Sequence, residues 1–215
     1  MASAVVTTAA HMALAIASMA VVLVFCDGSL FGYHPAALAL GFVFLMGEGV
    51  IAAAVGKGRQ RPLWINIHAL LQGLAGAAIA AGITAIYLNK TRLGKPHFTT
   101  LHSRLGLAAL VLSAGIATGG AVVKYLPAAG VGAGVVEATR RAHKQFGSVA
   151  FFLGVAVCVN GLRLTNPASP VYKGPLSMAV GGLLVLAAAA VLLQLLLAPS
   201  AAPKAGKGRR APKAD

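Results

Sequence analysis

An all-α membrane protein of six transmembrane helices is the fold class this sequence predicts, and three observations carry it. Of the 215 residues, 58% are hydrophobic and 10% charged, with mean hydropathy +0.83, which leaves too little polar surface for a water-soluble domain of this length. The apolar residues gather into six runs, most of them near the ~20 residues a helix needs to cross ~30 Å of hydrocarbon. Nearly all the charges fall in the short connections between runs and at the chain's end.

The first run, residues 5–26, has no basic residue ahead of it and is longer than the apolar core of a secretion signal, so a retained helix is favoured over a cleaved leader. It contains His11, expected as a packed polar residue rather than a ligand. The second run, 33–55, opens on Tyr33-His34-Pro35 and holds Glu48, the one acid expected within the spans. Intramembrane carboxyls are functional or firmly paired, and structural hydrogen bonding is favoured here over a proton relay. Runs three to five, 63–88, 101–123 and 146–162, have His68, His102 and His143 near their starts. The sixth is 175–198, so residues 1–198 form one six-helix domain. Residues 199–215, rich in Ala, Pro, Gly, Lys and Arg, read as a disordered basic tail lying along anionic lipid. Cys26 and Cys158 are expected as free apolar thiols.

Formal net charge is +14, which in a soluble protein would suggest nucleic-acid binding; in loops beside membrane spans the positive-inside rule explains it first. With six spans both termini share one side. That side holds 12 of the 18 lysines and arginines, including Lys57, Arg59, Arg61, Arg140, Arg141 and Lys144, and is therefore read as cytosolic. Lys90, Arg92, Lys95 and Arg104 lie on the other side.

Consecutive spans run in opposite directions, so the starts of the second and fourth share one face and those of the third and fifth share the other. His34 and His102 thus form a non-cytosolic pair, His68 and His143 a cytosolic one. Zinc takes four ligands with thiolates or carboxylates among them, whereas haem needs two axial imidazoles. No Cys-x-x-Cys-His sequence is present for covalent attachment, so haem b is expected, two per chain, within a four-helix core of helices two to five flanked by helices one and six. Gly41, Gly47, Gly49, Gly73, Gly76, Gly106, Gly115, Gly147 and Gly154 suit flat walls and close helix packing, a signal shared by many membrane bundles.

Several stretches resemble the cytochrome b561 family. Tyr33-His34-Pro35 with Phe44-Leu45-Met46-Gly47-Glu48-Gly49 is similar to its second-helix pattern, Leu101-His102-Ser103-Arg104-Leu105-Gly106 to its fourth-helix motif, and His143-Lys144-x-Phe146-Gly147 to its fifth. The stretch Lys95-Pro96-His97-Phe98-Thr99-Thr100 resembles the branch consisting of the six-helix domain alone. Arg104 stands where the family usually carries tryptophan, and Asn66 where ascorbate-using members tend to carry lysine.

The resemblance implies a transmembrane oxidoreductase taking electrons from cytosolic ascorbate to monodehydroascorbate or a ferric chelate, in an endomembrane or the plasma membrane, with a homodimer as the common assembly. Axial ligands carry over onto His34 with His102 and His68 with His143. Ascorbate is a monoanion, so cations beside each site are candidates to bind it: Lys57, Arg59, Arg61, Arg140, Arg141 and Lys144 on the cytosolic side, and Lys90, Arg92, Lys95 and Arg104 on the other, with His97 as a catalytic proton acceptor or donor. A proton-coupled small-solute transporter using the membrane histidines and Glu48 is the alternative, though the inverted repeat and broken helices of such proteins find little echo here.

Overall fold

The computed structural model describes residues 2–163 and 174–197 and contains six helices long and apolar enough to cross a membrane. They are α1 (Ala2–Phe25), α2 (Leu30–Val55), α3 (Arg61–Arg92), α4 (Leu101–Tyr125), α5 (Ala133–Arg163) and α6 (Pro175–Leu197). No strand occurs among the described residues. The tail assigned to 199–215 lies outside them.

Local chemistry sets the helix starts. Ser29 caps α2, its hydroxyl accepting from the Gly32 amide at 2.9 Å. Asp27 in turn accepts from the Ser29 hydroxyl and amide, and the hydroxyl bond holds its carboxyl below the ordinary carboxylate value. Thr100 opens α4 with a capping box: its hydroxyl accepts from the Ser103 amide at 3.2 Å, and the Ser103 hydroxyl accepts from the Thr100 amide at 3.1 Å. One boundary differs from expectation. Helix α5 begins at Ala133, well before the apolar run at 146, because residues 133–145 continue the same helix in polar form. Arg140, Arg141, His143 and Lys144 therefore stand on a helix rather than in a loop.

Helices two to five form a four-helix arrangement in which α2 packs on α3, α4 on α5, and α2 on α5, while α3 and α4 meet sparsely. Thus α2 stands diagonally opposite α4, and α3 opposite α5. Helices α1 and α6 pack together against the α2–α5 side. The Thr7 hydroxyl of α1 donates to Gln194 Oε1 of α6 at 3.0 Å, tying a helix start to a helix end as antiparallel neighbours require. The dense apolar core sits on this flank and includes Leu14, Phe42, Val43, Phe151, Leu184 and Val191, all fully buried.

Helix α2 is not a regular α-helix throughout. Residues Ala39–Leu45 form a π-helical segment, whose extra residue per turn has no signature in the hydropathy pattern. The segment buries Phe42 against Gly154 of α5, where an added Cβ would run into the Phe42 ring. Gly154→Ala is therefore expected to destabilise the bundle by ~1–3 kcal/mol through overpacking. Gly76→Ala, at a position with no neighbour within 4 Å of the added carbon, should leave stability near that of the parent. Unfolding of the detergent-solubilised variants compares the two.

Candidate functional site

The diagonal helices bring the four span histidines together in two couples. His34 of α2 faces His102 of α4 with ring centres 6.1 Å apart and planes at 85°; His68 of α3 faces His143 of α5 at 6.0 Å and 86°. All four rings are half-buried. Neither α2 with α4 nor α3 with α5 packs directly, so each couple spans the middle of the four-helix arrangement.

Hydrogen bonds to neighbouring helices fix the rings. Nδ1 of His34 donates to the Gly82 carbonyl of α3 at 3.0 Å, and Nδ1 of His68 donates to the Gly49 carbonyl of α2 at 2.7 Å. The exchange is reciprocal: each helix of the pair contributes one histidine and anchors the other's. The second pair repeats it in part. His143 Nδ1 donates to the Ile116 carbonyl of α4 at 3.0 Å, and the backbone carbonyl facing His102 Nδ1 is that of Val157 of α5. There, however, no bond of ordinary length and angle forms among the described residues, and the nitrogen is a buried orphan. Protonation at Nδ1 leaves Nε2 with a lone pair, the tautomer a metal ligand needs.

The register behind these bonds is regular. Gly82 is 14 residues beyond His68, Ile116 is 14 beyond His102, and Val157 is 14 beyond His143, whereas Gly49 is 15 beyond His34. Fourteen residues of α-helix rise ~21 Å, which sets the separation of the two levels. The odd residue in α2 is absorbed by the π-helical segment Ala39–Leu45 between its histidine and its carbonyl.

Small residues let the rings sit close. A Cβ on Gly161 would come within 2.8 Å of His102 Cε1, and one on Gly120 within 3.0 Å of His143 Cε1. Gly82 admits Leu38 and the His34 carbonyl, and Gly49 admits Gln72, whose Nε2 donates to the Met46 carbonyl at 3.3 Å.

The donor set fits haem. A metal held at ~2 Å by one nitrogen of each ring would set ring centres ~6 Å apart, as observed for both couples. Among the described residues no cluster of three or more His, Cys, Asp or Glu could complete a four-ligand zinc site. Cys26 and Cys158 are free.

A model of eukaryotic cytochrome b561 matches residues 33–166. The chain belongs to the cytochrome b561 family. Membership implies haem b. The chain is 36% identical over 129 residues to transmembrane reductase CYB561D2 of Bos taurus, an alignment covering 55% of each. It is 27% identical over 172 residues to transmembrane ascorbate-dependent reductase CYB561 of Sus scrofa, covering 77% of this chain and 68% of the relative. It is 28% identical over 163 residues to ascorbate-specific transmembrane electron transporter 1 of Zea mays, covering 70% and 68%. The chain thus spans about half the length of CYB561D2.

The candidate cations distribute around the two couples. Lys57, Arg59, Arg61, Arg140, Arg141 and Lys144 are exposed at the end carrying His68 and His143. Three of them have local partners: Arg61 Nη1 donates to the Gly56 carbonyl at 3.0 Å, and Glu137 pairs with Arg140 at 3.6 Å and Arg141 at 3.4 Å. At the other end Lys90 lies near both His34 and His102 and donates to the Pro96 carbonyl at 3.2 Å, while Arg104 Nε donates to the Phe98 carbonyl at 3.3 Å. Lys95 is exposed. His97 stacks on Tyr87 at 4.4 Å and 20°, its Nε2 3.4 Å from the Thr91 hydroxyl.

Sequence reasoning missed Lys124, the final-turn lysine of α4, which lies near enough to His68 on α3 to act on it electrostatically and sits 5.2 Å from the Tyr125 ring. A lysine flanking a span is ordinary, and only the fold brings it to the mouth between α3 and α4. His11, expected as a packed polar residue rather than a ligand, belongs to neither couple; it is about half exposed, and its Nδ1 lies 2.6 Å from Glu48 Oε2, a partner the sequence did not name.

The register predicts an asymmetric tolerance to deletion. Removing Leu40, within the π-helical segment and partly exposed, is expected to convert α2 to the 14-residue spacing of the other three helices and to leave a folded, monodisperse protein in detergent. Removing Leu74 from α3, equally peripheral, breaks the reciprocal His68 and Gly82 register and should give an aggregated product. Size-exclusion profiles distinguish them.

Proposed function

We propose that this chain transfers electrons across the membrane through two b-type haems, taking them from ascorbate on the cytosolic side and delivering them to monodehydroascorbate or a ferric chelate on the other. The observation that supports this most is the pair of matched imidazole couples on diagonal helices, with three of the four Nδ1 atoms held on backbone carbonyls. His34 with His102 would hold one haem and His68 with His143 the second. When bound, these groups would supply one-electron carriers, and an imidazole couple at each would favour electron transfer over oxygen chemistry.

The chain's own residues supply binding and proton handling. Lys57, Arg59, Lys124 and Lys144 present cations to an anionic donor, with Arg61, Arg140 and Arg141 adding positive potential around the same mouth. On the other face Lys90, Lys95 and Arg104 do the same for the acceptor. His97, oriented by Tyr87 and Thr91, donates a proton from its ring nitrogen when a radical is reduced there and accepts one in the reverse direction. Both termini face the cytosol in this arrangement, and a homodimer is the proposed assembly.

Purified protein reduced with ascorbate is expected to show a low-spin b-type difference spectrum, with two haems per chain by pyridine haemochrome assay. His102→Leu and His143→Leu should each retain one haem, of different potential. A colourless preparation, or both haems lost with either substitution, counts against the assignment of couples. Lys124→Gln is expected to raise the KM for ascorbate severalfold at low salt with the spectrum unchanged, the difference shrinking as ionic strength screens it.

A further inference from the structure

The pair formed by His11 of α1 and Glu48 of α2 takes no part in the proposed electron path, yet it joins two ionisable side chains within the spans. Its Nδ1···Oε2 separation of 2.6 Å is at the short end for a charge-assisted bond. The Glu48 side chain is 16% exposed and that of His11 45%. Val55 ends α2 seven residues beyond Glu48, so the pair lies ~10 Å inside the cytosolic end. Glu48 directly precedes Gly49, whose carbonyl holds His68 Nδ1, and Gln72 of α3 packs on the same glycine. Polar groups at this level therefore run from α1 through α2 to the imidazole on α3.

We propose that His11 and Glu48 form a redox-linked proton site, which binds a proton from cytosolic water when an electron reaches the centre that His68 helps to hold and releases it when the electron departs. This rests on the electron-transfer function proposed above. The electron comes from the ascorbate of that reaction, the proton adds to the carboxylate and imidazole pair, and no bond to the ligand histidines is made or broken. An electron added in a low-dielectric region attracts positive charge, and a base one residue from the ligand's anchoring carbonyl is placed to supply it.

The surroundings leave this role to the pair. Helix α1 has no other ionisable side chain, and α6 has none among its residues 175–197. Helix α3 contributes His68 itself; its Arg61 donates to the Gly56 carbonyl, and Tyr87, Lys90 and Arg92 belong to the opposite end. Helix α5 brings Cys158 and Arg163 toward that opposite end, and at its start Glu137, Arg140, Arg141, His143 and Lys144, with Glu137 already engaged by the two arginines.

The sign follows from linkage: proton uptake on reduction makes the midpoint potential fall as pH rises, by up to ~59 mV for each tenfold drop in proton concentration when one proton accompanies one electron. Spectroelectrochemical titration of the full-length haem-loaded protein between about pH 5 and pH 9 reads it directly. One of the two potentials is expected to slope with pH in the parent and to be flat in both Glu48→Gln and His11→Gln, with absorption maxima unchanged. A flat parent, or a slope persisting in either variant, overturns the inference while leaving electron transfer intact. Should Glu48→Gln fail to fold, His11→Gln decides alone, because His11 is half exposed and a persistent slope in it is sufficient to overturn. A preparation that binds no haem removes the electron-transfer function and this inference together.

Discussion

The structure depends on imidazoles donating Nδ1–H to carbonyls of a neighbouring helix. A histidine inside hydrocarbon is costly unless both its nitrogens have uses. Donating from Nδ1 satisfies one nitrogen, fixes the ring and leaves the other available to a metal. Because His34 bonds to Gly82 while His68 bonds to Gly49, helices α2 and α3 are locked at two heights, each by the other's histidine. Sliding either helix would break both bonds. The same relation between α4 and α5 holds at one height through His143; at the other the Val157 carbonyl faces His102 Nδ1, but no bond of ordinary length and angle forms there among the described residues.

Much else follows from keeping those heights fixed. The π-helical turn in α2 is a local irregularity with a global reason: with 15 residues between His34 and Gly49, against 14 elsewhere, a regular helix would rotate one of the two out of register. That irregular segment is also where α2 packs against α5, with Phe42 seated over Gly154, and where α1 packs against it. Dense packing on the flank of α1, α2, α5 and α6 supports a four-helix region in which α3 and α4 each lean on one neighbour. The apolar core is thus displaced from the centre that the imidazole couples span.

Spans, their number and the pairing of histidines were legible in the sequence because they depend on hydropathy and on the alternation of helix direction, both one-dimensional patterns. The start of α5 was not, since a helix that leaves the membrane becomes polar without ceasing to be a helix, and residues 133–145 no longer look apolar. The His11–Glu48 bond was illegible for a different reason. It joins α1 to α2 across 37 positions of sequence, and hydropathy treats His11 as a lone polar residue among apolar ones. The reach of Lys124 toward His68 depends likewise on which helices stand side by side, here α3 and α4. Glu48 itself was visible as an intramembrane acid needing a partner, but the sequence could not name one.

The two departures from the family pattern have places in this architecture. Arg104 stands two residues after His102, and its guanidinium donates to the Phe98 carbonyl, in the connection where Lys90 holds Pro96 and where Phe98 adopts φ +55. A tryptophan there could offer a single N–H. The arginine therefore fastens the 93–100 connection and keeps a permanent positive charge on it, at the end of the bundle that carries His34 and His102. Asn66, for its part, is exposed near the start of α3, where a lysine would add positive charge to the other mouth. Lys124 enters that mouth from α4 instead. Charge can be supplied from a different helix because an anion responds to the summed potential of the mouth rather than to the element that carries it.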